Sequence, residues 1–153
     1  LQNTYAIHKI ALKDNQIWLT SITTTKAAQS HGKMKINRSY DGNYLSLGNR
    51  RYEQGIGTHT HSVIEFPLPE NAATFSFIAG IDDEIGTADA QFFVYGDDKL
   101  LWQSPMYFGY EKRLPTTTLN IKGVRVLRLQ VTEGKEDKWD HVDWVNTIIT
   151  LEE

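Results

Sequence analysis

Apolar residues along this chain recur at alternate positions in short runs broken by turn formers, the pattern of half-buried β-strands. Val63, Ile64, Phe66 and Leu68 form one run, closed by Pro67 and Pro69. Residues 74–79 form another, with Phe75 and Phe77 two apart on one face. Residues 91–95 and 99–103 flank Gly96-Asp97-Asp98, and this predicts a hairpin because Gly and Asp tolerate the dihedrals of a tight turn. Residues 114–121, 124–131 and 144–151 supply later strands, and residues 17–20 an early one. Arg125 shares a face with Leu127, Leu129 and Val131, so it is expected at the strand end, where its head reaches water.

Residues 24–30 could form a turn or two of helix, and no longer amphipathic helix is evident. Residues 30–54 are polar and carry Gly32, Gly42 and Gly48, which predicts irregular structure with short strands and a place for binding groups. Many short strands without helical crossovers predict an all-β, antiparallel β-sandwich.

The length, 153 residues, suits a single domain spanning 1–153 that buries its own core. Sixteen Lys and Arg against nineteen Asp and Glu give a formal net charge of -3, which argues against nucleic acid as a partner. No apolar run approaches the roughly 20 residues needed to span a bilayer, so no membrane insertion is expected. The absence of cysteine removes disulfides, thiolate metal sites and a cysteine nucleophile together. Leu1 is not an initiator Met, and the chain reads as a piece of a larger protein.

Three stretches, in order, carry a family resemblance. Residues 51–62, Arg-Tyr-Glu-Gln-Gly-Ile-Gly-Thr-His-Thr-His-Ser, match a Y-x-x-G-[IL]-G-x-H-x-x-S pattern. Residues 77–84, Phe-Ile-Ala-Gly-Ile-Asp-Asp-Glu, are followed by residues 93–100, Phe-Val-Tyr-Gly-Asp-Asp-Lys-Leu. Leu127-Arg128-Leu129 leads to Asp140-His141-Val142-Asp143-Trp144, similar to L-x-L…D-H-[AV]-D-W. Together they resemble the NPCBM family, also classified as carbohydrate-binding module family 51 (CBM51), over roughly residues 15–151. The resemblance implies a jelly-roll sandwich of the galactose-binding-like type. It implies a non-catalytic module that recognises a terminal galactose or galactose-containing glycan. It also implies attachment in cis to the catalytic domain of a secreted, periplasmic or cell-surface glycoside hydrolase.

A sugar needs planar or charged hydrogen-bonding partners for its hydroxyls and an aromatic face for its apolar C–H surface. His59, Glu84 and Asp140 stand just outside predicted strand ends, with Tyr52 and Trp139 nearby in sequence, and these five are the candidate carbohydrate-binding residues. Gly55 and Gly57 are expected to serve tight backbone geometry. Asp82 and Asp83 are expected to cap a turn, Trp144 to pack in the core, and Asp143 to satisfy backbone donors or the indole N–H. His141 fits either a structural or a binding role.

No cofactor is required by this reading. A structural calcium would find oxygen donors in Asp41, Asn43, Asp137 and Asp140, although no dense acidic loop is present. His59 and His61 are spaced for zinc but lack an obvious third ligand. Two other function classes fit the same residues. Glu84 and Asp140 could be the carboxylate pair of a small glycosidase, but no reaction-specific motif accompanies them. Tyr107, Phe108 and Tyr110 would suit a protein-docking domain of a multidomain glycosidase.

Overall fold

In the computed structural model, residues 6–29, 32–85, 88–109, 114–133 and 141–153 are described. In chain order the strands are β1 Ile7–His8, β2 Gln16–Trp18, β3 Lys26–Gln29, β4 Lys35–Ile36 and β5 Leu45–Leu47. There follow β6 Arg50–Tyr52, β7 Gly55–His59, β8 Ser62–Pro67, β9 Ala72–Ile81 and β10 Asp89–Gly96. The last are β11 Lys99–Gln103, β12 Tyr107–Phe108, β13 Thr117–Asn120, β14 Val126–Glu133 and β15 His141–Leu151.

Two antiparallel sheets form the sandwich. One has the order β13-β9-β15-β7-β4, with β2 also on β15; the other runs β11-β10-β14-β8-β3, with β12 on β10. Strand alternation sends Phe75, Phe77, Ile56, Trp144 and Ile149 inward from the first sheet, and Phe92, Val94, Leu127, Leu129, Ile64 and Phe66 inward from the second. Trp144 is fully buried, its ring 5.5 Å from that of Phe77 and 5.3 Å from that of Phe92. Its indole N–H finds no partner among the described residues, and Asp143, one residue back, points to the opposite face of the sheet. The expected bond from Asp143 to the indole is therefore not made.

That opposite face is covered by a small sheet, β1-β6-β5, in which β1 joins β6 in parallel. Leu45, Leu47 and Tyr52 from this sheet pack on Ile78 and Val145 as a second apolar cluster. Gln54 fastens the junction: its side-chain amide donates to Thr147 Oγ1 at 2.8 Å and its Oε1 accepts from the Thr147 N–H at 2.8 Å.

The predicted hairpin is present, with Asp97 and Asp98 both at positive φ. The Asp97 carboxylate also accepts from the Val126 N–H at 3.0 Å and the Arg125 N–H at 3.1 Å, which leaves Arg125 just before β14. Residues 24–30 depart from expectation. They hold the edge strand β3, paired to β8 from Lys26↔Glu65 to Gln29↔Ser62, because β8 offers an open row of backbone groups that a short helix would leave unsatisfied.

On the outer face of β7 the absence of a side chain at Gly57 decides how closely the next layer can lie. A Cβ there would meet the Arg38 carbonyl oxygen at 2.2 Å and Ser39 Cα at 2.6 Å, both of them backbone. Gly57→Ala is expected to cost about 1–3 kcal/mol by lifting the Arg38–Ser39 segment from the sheet. Thermal unfolding, compared with an exposed control such as Gly123→Ala, measures it.

Candidate functional site

Three strands present their outer faces side by side at one end of the first sheet. His59 at the end of β7 pairs with His141 at the start of β15, and the Asp82 N–H just beyond β9 donates to the His141 carbonyl at 2.9 Å. One register step inward, Gly57 and Gly80 flank Asp143. Over this end lies the 38–44 segment. It is tightened by a turn in which the Gly42 N–H donates to the Ser39 carbonyl at 2.9 Å and the Ser39 N–H to the Asn43 carbonyl at 2.8 Å.

Glu84 ties the segment to the sheet. Its Oε1 accepts from the Ser39 hydroxyl at 2.6 Å and the Asn43 side-chain amide at 3.0 Å. Its Oε2 accepts from His141 Nδ1 at 2.7 Å and the Asp41 N–H at 3.3 Å. A carboxylate offers about four acceptor positions, and here all are used by protein donors. Burial pushes the Glu84 pKa up, but the hydrogen bonds from Ser39, Asn43, His141 and the Asp41 backbone outweigh it and hold the group below its ordinary value.

The two imidazoles are thereby oriented. His141 Nδ1 donates to Glu84, and His59 Nδ1 lies 2.6 Å from the Thr60 carbonyl. Their centroids are 5.4 Å apart, and the Tyr40 ring packs against both, at 5.1 Å from His59 and 4.7 Å from His141. Beside Glu84 opens a depression of about 310 Å³ lined by Asn43, Tyr44, Ser46, Arg51 and residues 82–84. Tyr44 is exposed and has Arg38 4.7 Å and Arg51 5.5 Å from its ring centre.

The structure thus brings His59 and Glu84 together, and adds Tyr40, Asn43, Tyr44 and His141. Trp139 and Asp140 lie outside the described residues, as do Asp137 and Tyr110. Tyr52 is not a stacking platform: it is 4% exposed in the second apolar cluster, with His8 against its ring at 5.2 Å, because β6 turns that side chain down onto the main sheet. Glu84 is at the site, but as the residue that holds the others rather than as a free acceptor. Tyr107, expected as an exposed docking residue, is buried and packs 5.8 Å from Phe92; Phe108 remains exposed. The signal for the missed tyrosines was the sequence Arg38-Ser39-Tyr40-Asp41-Gly42-Asn43-Tyr44, in which two aromatics bracket a string of turn formers.

Donor atoms of Asp41, Glu84 and His141 lie within 4.8 Å of one another. The closest of them, Glu84 and His141, share a hydrogen bond at 2.7 Å. Asp83 caps as expected, though over a different turn: its carboxylate accepts from the Ser46 hydroxyl and the Asn49 N–H, both at 2.6 Å, and from the Gly48 N–H at 3.1 Å. Asp82 Oδ1 accepts from the Glu84 N–H at 2.9 Å, closing the turn that carries Glu84.

Because the folded-state pKa of Glu84 is depressed, its contribution is present above the ordinary glutamate range and disappears as pH falls through the folded value. Glu84→Ala, which strands the donors of Ser39, Asn43 and His141, is expected to cost roughly 2–4 kcal/mol above that range and less in acid. Denaturant titration at a series of pH values checks both the size and the sign.

Residues 15–150 match the family model described as NPCBM/NEW2 domain. An alpha-1,3-galactosidase B of Akkermansia muciniphila is 33% identical over 122 residues, which cover 77% of this chain and 15% of that protein. The chain therefore corresponds to a small part of that enzyme. Among solved structures, CBM51 from Clostridium perfringens GH95, in complex with methyl-galactose, is 27% identical with a TM-score of 0.81, covering 88% of this chain and 99% of that one. The CBM51-2 domain of Clostridium perfringens ZmpB, solved with GlcNAc, shares the fold at a TM-score of 0.83 and 22% identity, over 90% of this chain and 32% of that one. The chain belongs to the NPCBM family and is a non-catalytic carbohydrate-binding module of the CBM51 type.

Proposed function

We propose that this module binds a terminal sugar, with galactose the leading ligand, at the end of the sheet where His59 and His141 meet under the 38–44 segment. The observation that carries the reading is the oriented imidazole pair against Tyr40, held by Glu84. With both Nδ1 atoms engaged by protein oxygens the rings are held in place, and His141 Nε2 is the nitrogen offered to a hydroxyl, while Asn43 and Asp41 supply further polar groups beside it. Trp139 and Asp140 directly precede His141 in sequence, which places them as candidate contributors of a ring face and a carboxylate. The galactose complex of a relative that matches nearly the whole fold supports the choice of sugar.

In this reading the module serves in cis, holding an attached glycoside hydrolase on a galactose-bearing glycan outside the cell or at its surface. Among the described residues no helix is long and apolar enough to cross a membrane. The similarity to a galactosidase over only 15% of its length supports an accessory role for this part of the protein.

A single sugar exchanges hydrogen bonds with water for similar ones with protein and gains little from area, so binding is expected to be weak. Dissociation constants from millimolar to tens of micromolar, about 4–6 kcal/mol, are expected for galactose. Calorimetric or NMR titration with galactose, N-acetylgalactosamine, N-acetylglucosamine and fucose reads the preference. His59→Ala, His141→Ala and Trp139→Ala are each expected to weaken binding about tenfold or more, and Tyr52→Phe to leave it unchanged. Undiminished binding in all three folded alanine variants would move the site elsewhere.

A further inference from the structure

Asp143 is fully buried in the middle of the first sheet, and neither of its carboxylate oxygens has a hydrogen-bond donor among the described residues. Its cross-strand neighbours, Gly57 and Gly80, bring no side chain. What covers them is the backbone of Arg38 and Ser39 at Gly57, and Leu114 and Leu47 at Gly80. The titratable groups nearest in space are acidic: Asp82, the carboxyl beside Asp143, and Glu84 beyond it. His141 lies two residues back on the same face, and His59 opposite it.

Two carboxylates can hydrogen-bond to each other only if one carries a proton. Asp82 is suited to be the anion, since Oδ1 accepts from the Glu84 N–H at 2.9 Å and Oδ2 from the Ser46 N–H at 3.2 Å. Asp143 has no donor of ordinary hydrogen-bond geometry, the Ser46 N–H lying near it but directed to Asp82, and an ionised Asp143 would be a buried charge facing another negative group.

We infer that Asp143 is a neutral carboxylic acid in the folded protein and donates its proton to Asp82, acting as a positioning residue that sets Glu84 and, through Glu84, His141. The links are the Asp143–Asp82 bond, the Asp82–Glu84 N–H bond at 2.9 Å and the Glu84–His141 bond at 2.7 Å; β15 then closes the loop from His141 back to Asp143. Burial, and then Asp82, pushes the Asp143 pKa well above the ordinary aspartate value, in line with a proton held there. The role in ligand binding rests on the proposed sugar site; the proton and the geometry do not.

The pH dependence has a definite sign. The folded state keeps a proton that the unfolded chain releases in the ordinary aspartate range, so this pair loses stability as pH rises from that range towards the raised folded value. Asp143→Asn keeps a donor towards Asp82 and cannot ionise, so its melting temperature should gain on the wild type by about 5 °C or more between about pH 5 and about pH 8. Asp143→Leu has similar bulk and no donor.

The test follows the side-chain carboxyl carbons of the wild-type chain and the His141 Nδ1–H proton by NMR, without any sugar. The Asp143 carboxyl is expected to keep its protonated shift through neutral pH, unmoved by a calcium chelator. The His141 Nδ1–H signal is expected to persist in Asp143→Asn and to fade in Asp143→Leu. An Asp143 carboxyl that ionises in the ordinary range, or one that responds to chelator, overturns the proposal, and the wild-type titration needs no variant to fold. A His141 signal equally strong in Asp143→Leu would overturn the positioning role. A chain that passes these tests yet binds no sugar would refute only the proposed site.

Discussion

The functional end of this domain depends on the carboxylate of Glu84. A carboxylate accepts and does not donate, so it gathers whatever donors can reach it, and here they come from two distant parts of the chain. Ser39, Asp41 and Asn43 arrive from the loop before β5, and His141 from the first residue of β15. One side chain thereby fixes the height of a loop above the sheet and the tautomer of a histidine within it. The sheet must let the loop approach, and the bare backbone of Gly57 under Arg38 and Ser39 allows it. The two requirements are complementary: without the glycine the loop would stand off, and without the carboxylate its polar groups would face a buried surface with no acceptor.

Much of the fold was legible because it rests on local chemistry. Alternating apolar residues located β8, β9, β10 and β14, and the Gly-Asp-Asp turn located the hairpin. The edge strand β3 was not legible: Lys26, Ala27 and Ala28 have no strand character of their own, and their conformation is imposed by the unsatisfied edge of β8. The site divides the same way. Glu84 stands in the turn after β9, as the acidic residues suggested, whereas His59, expected just outside a strand, is the buried last residue of β7. Tyr52 was misjudged because nearness to His59 in sequence says nothing about which way β6 faces once it crosses over the main sheet. Tyr40 reaches His59 and His141 from 19 and 101 positions away, as its ring contacts record, and no periodicity encodes such a meeting.

Glu84, Asp83, Asp82 and Asp143 lie close together at this end, and their environments differ by the number of donors supplied. Glu84 receives four hydrogen bonds, Asp83 three from the Ser46 to Asn49 turn, and Asp82 two from backbone N–H groups. Asp143 receives none among the described residues. The directions of the pKa shifts follow where they are marked: Glu84 is lowered, Asp82 raised, and Asp143 raised the most strongly. Burial alone would raise all of these, so the donors decide which group can bear a charge.

The same accounting determines what the outer surface can recognise. The oxygens of Glu84, Asp83 and Asp82 are spent on donors of the protein itself. At the proposed site stand a pair of buried imidazoles with Nδ1 already committed, a tyrosine ring packed against both, and the amide of Asn43. These groups are polar and are preorganised by bonds already made inside the protein. A sugar bound there as proposed would exchange hydrogen bonds with water at little net gain and be discriminated by geometry more than by strength.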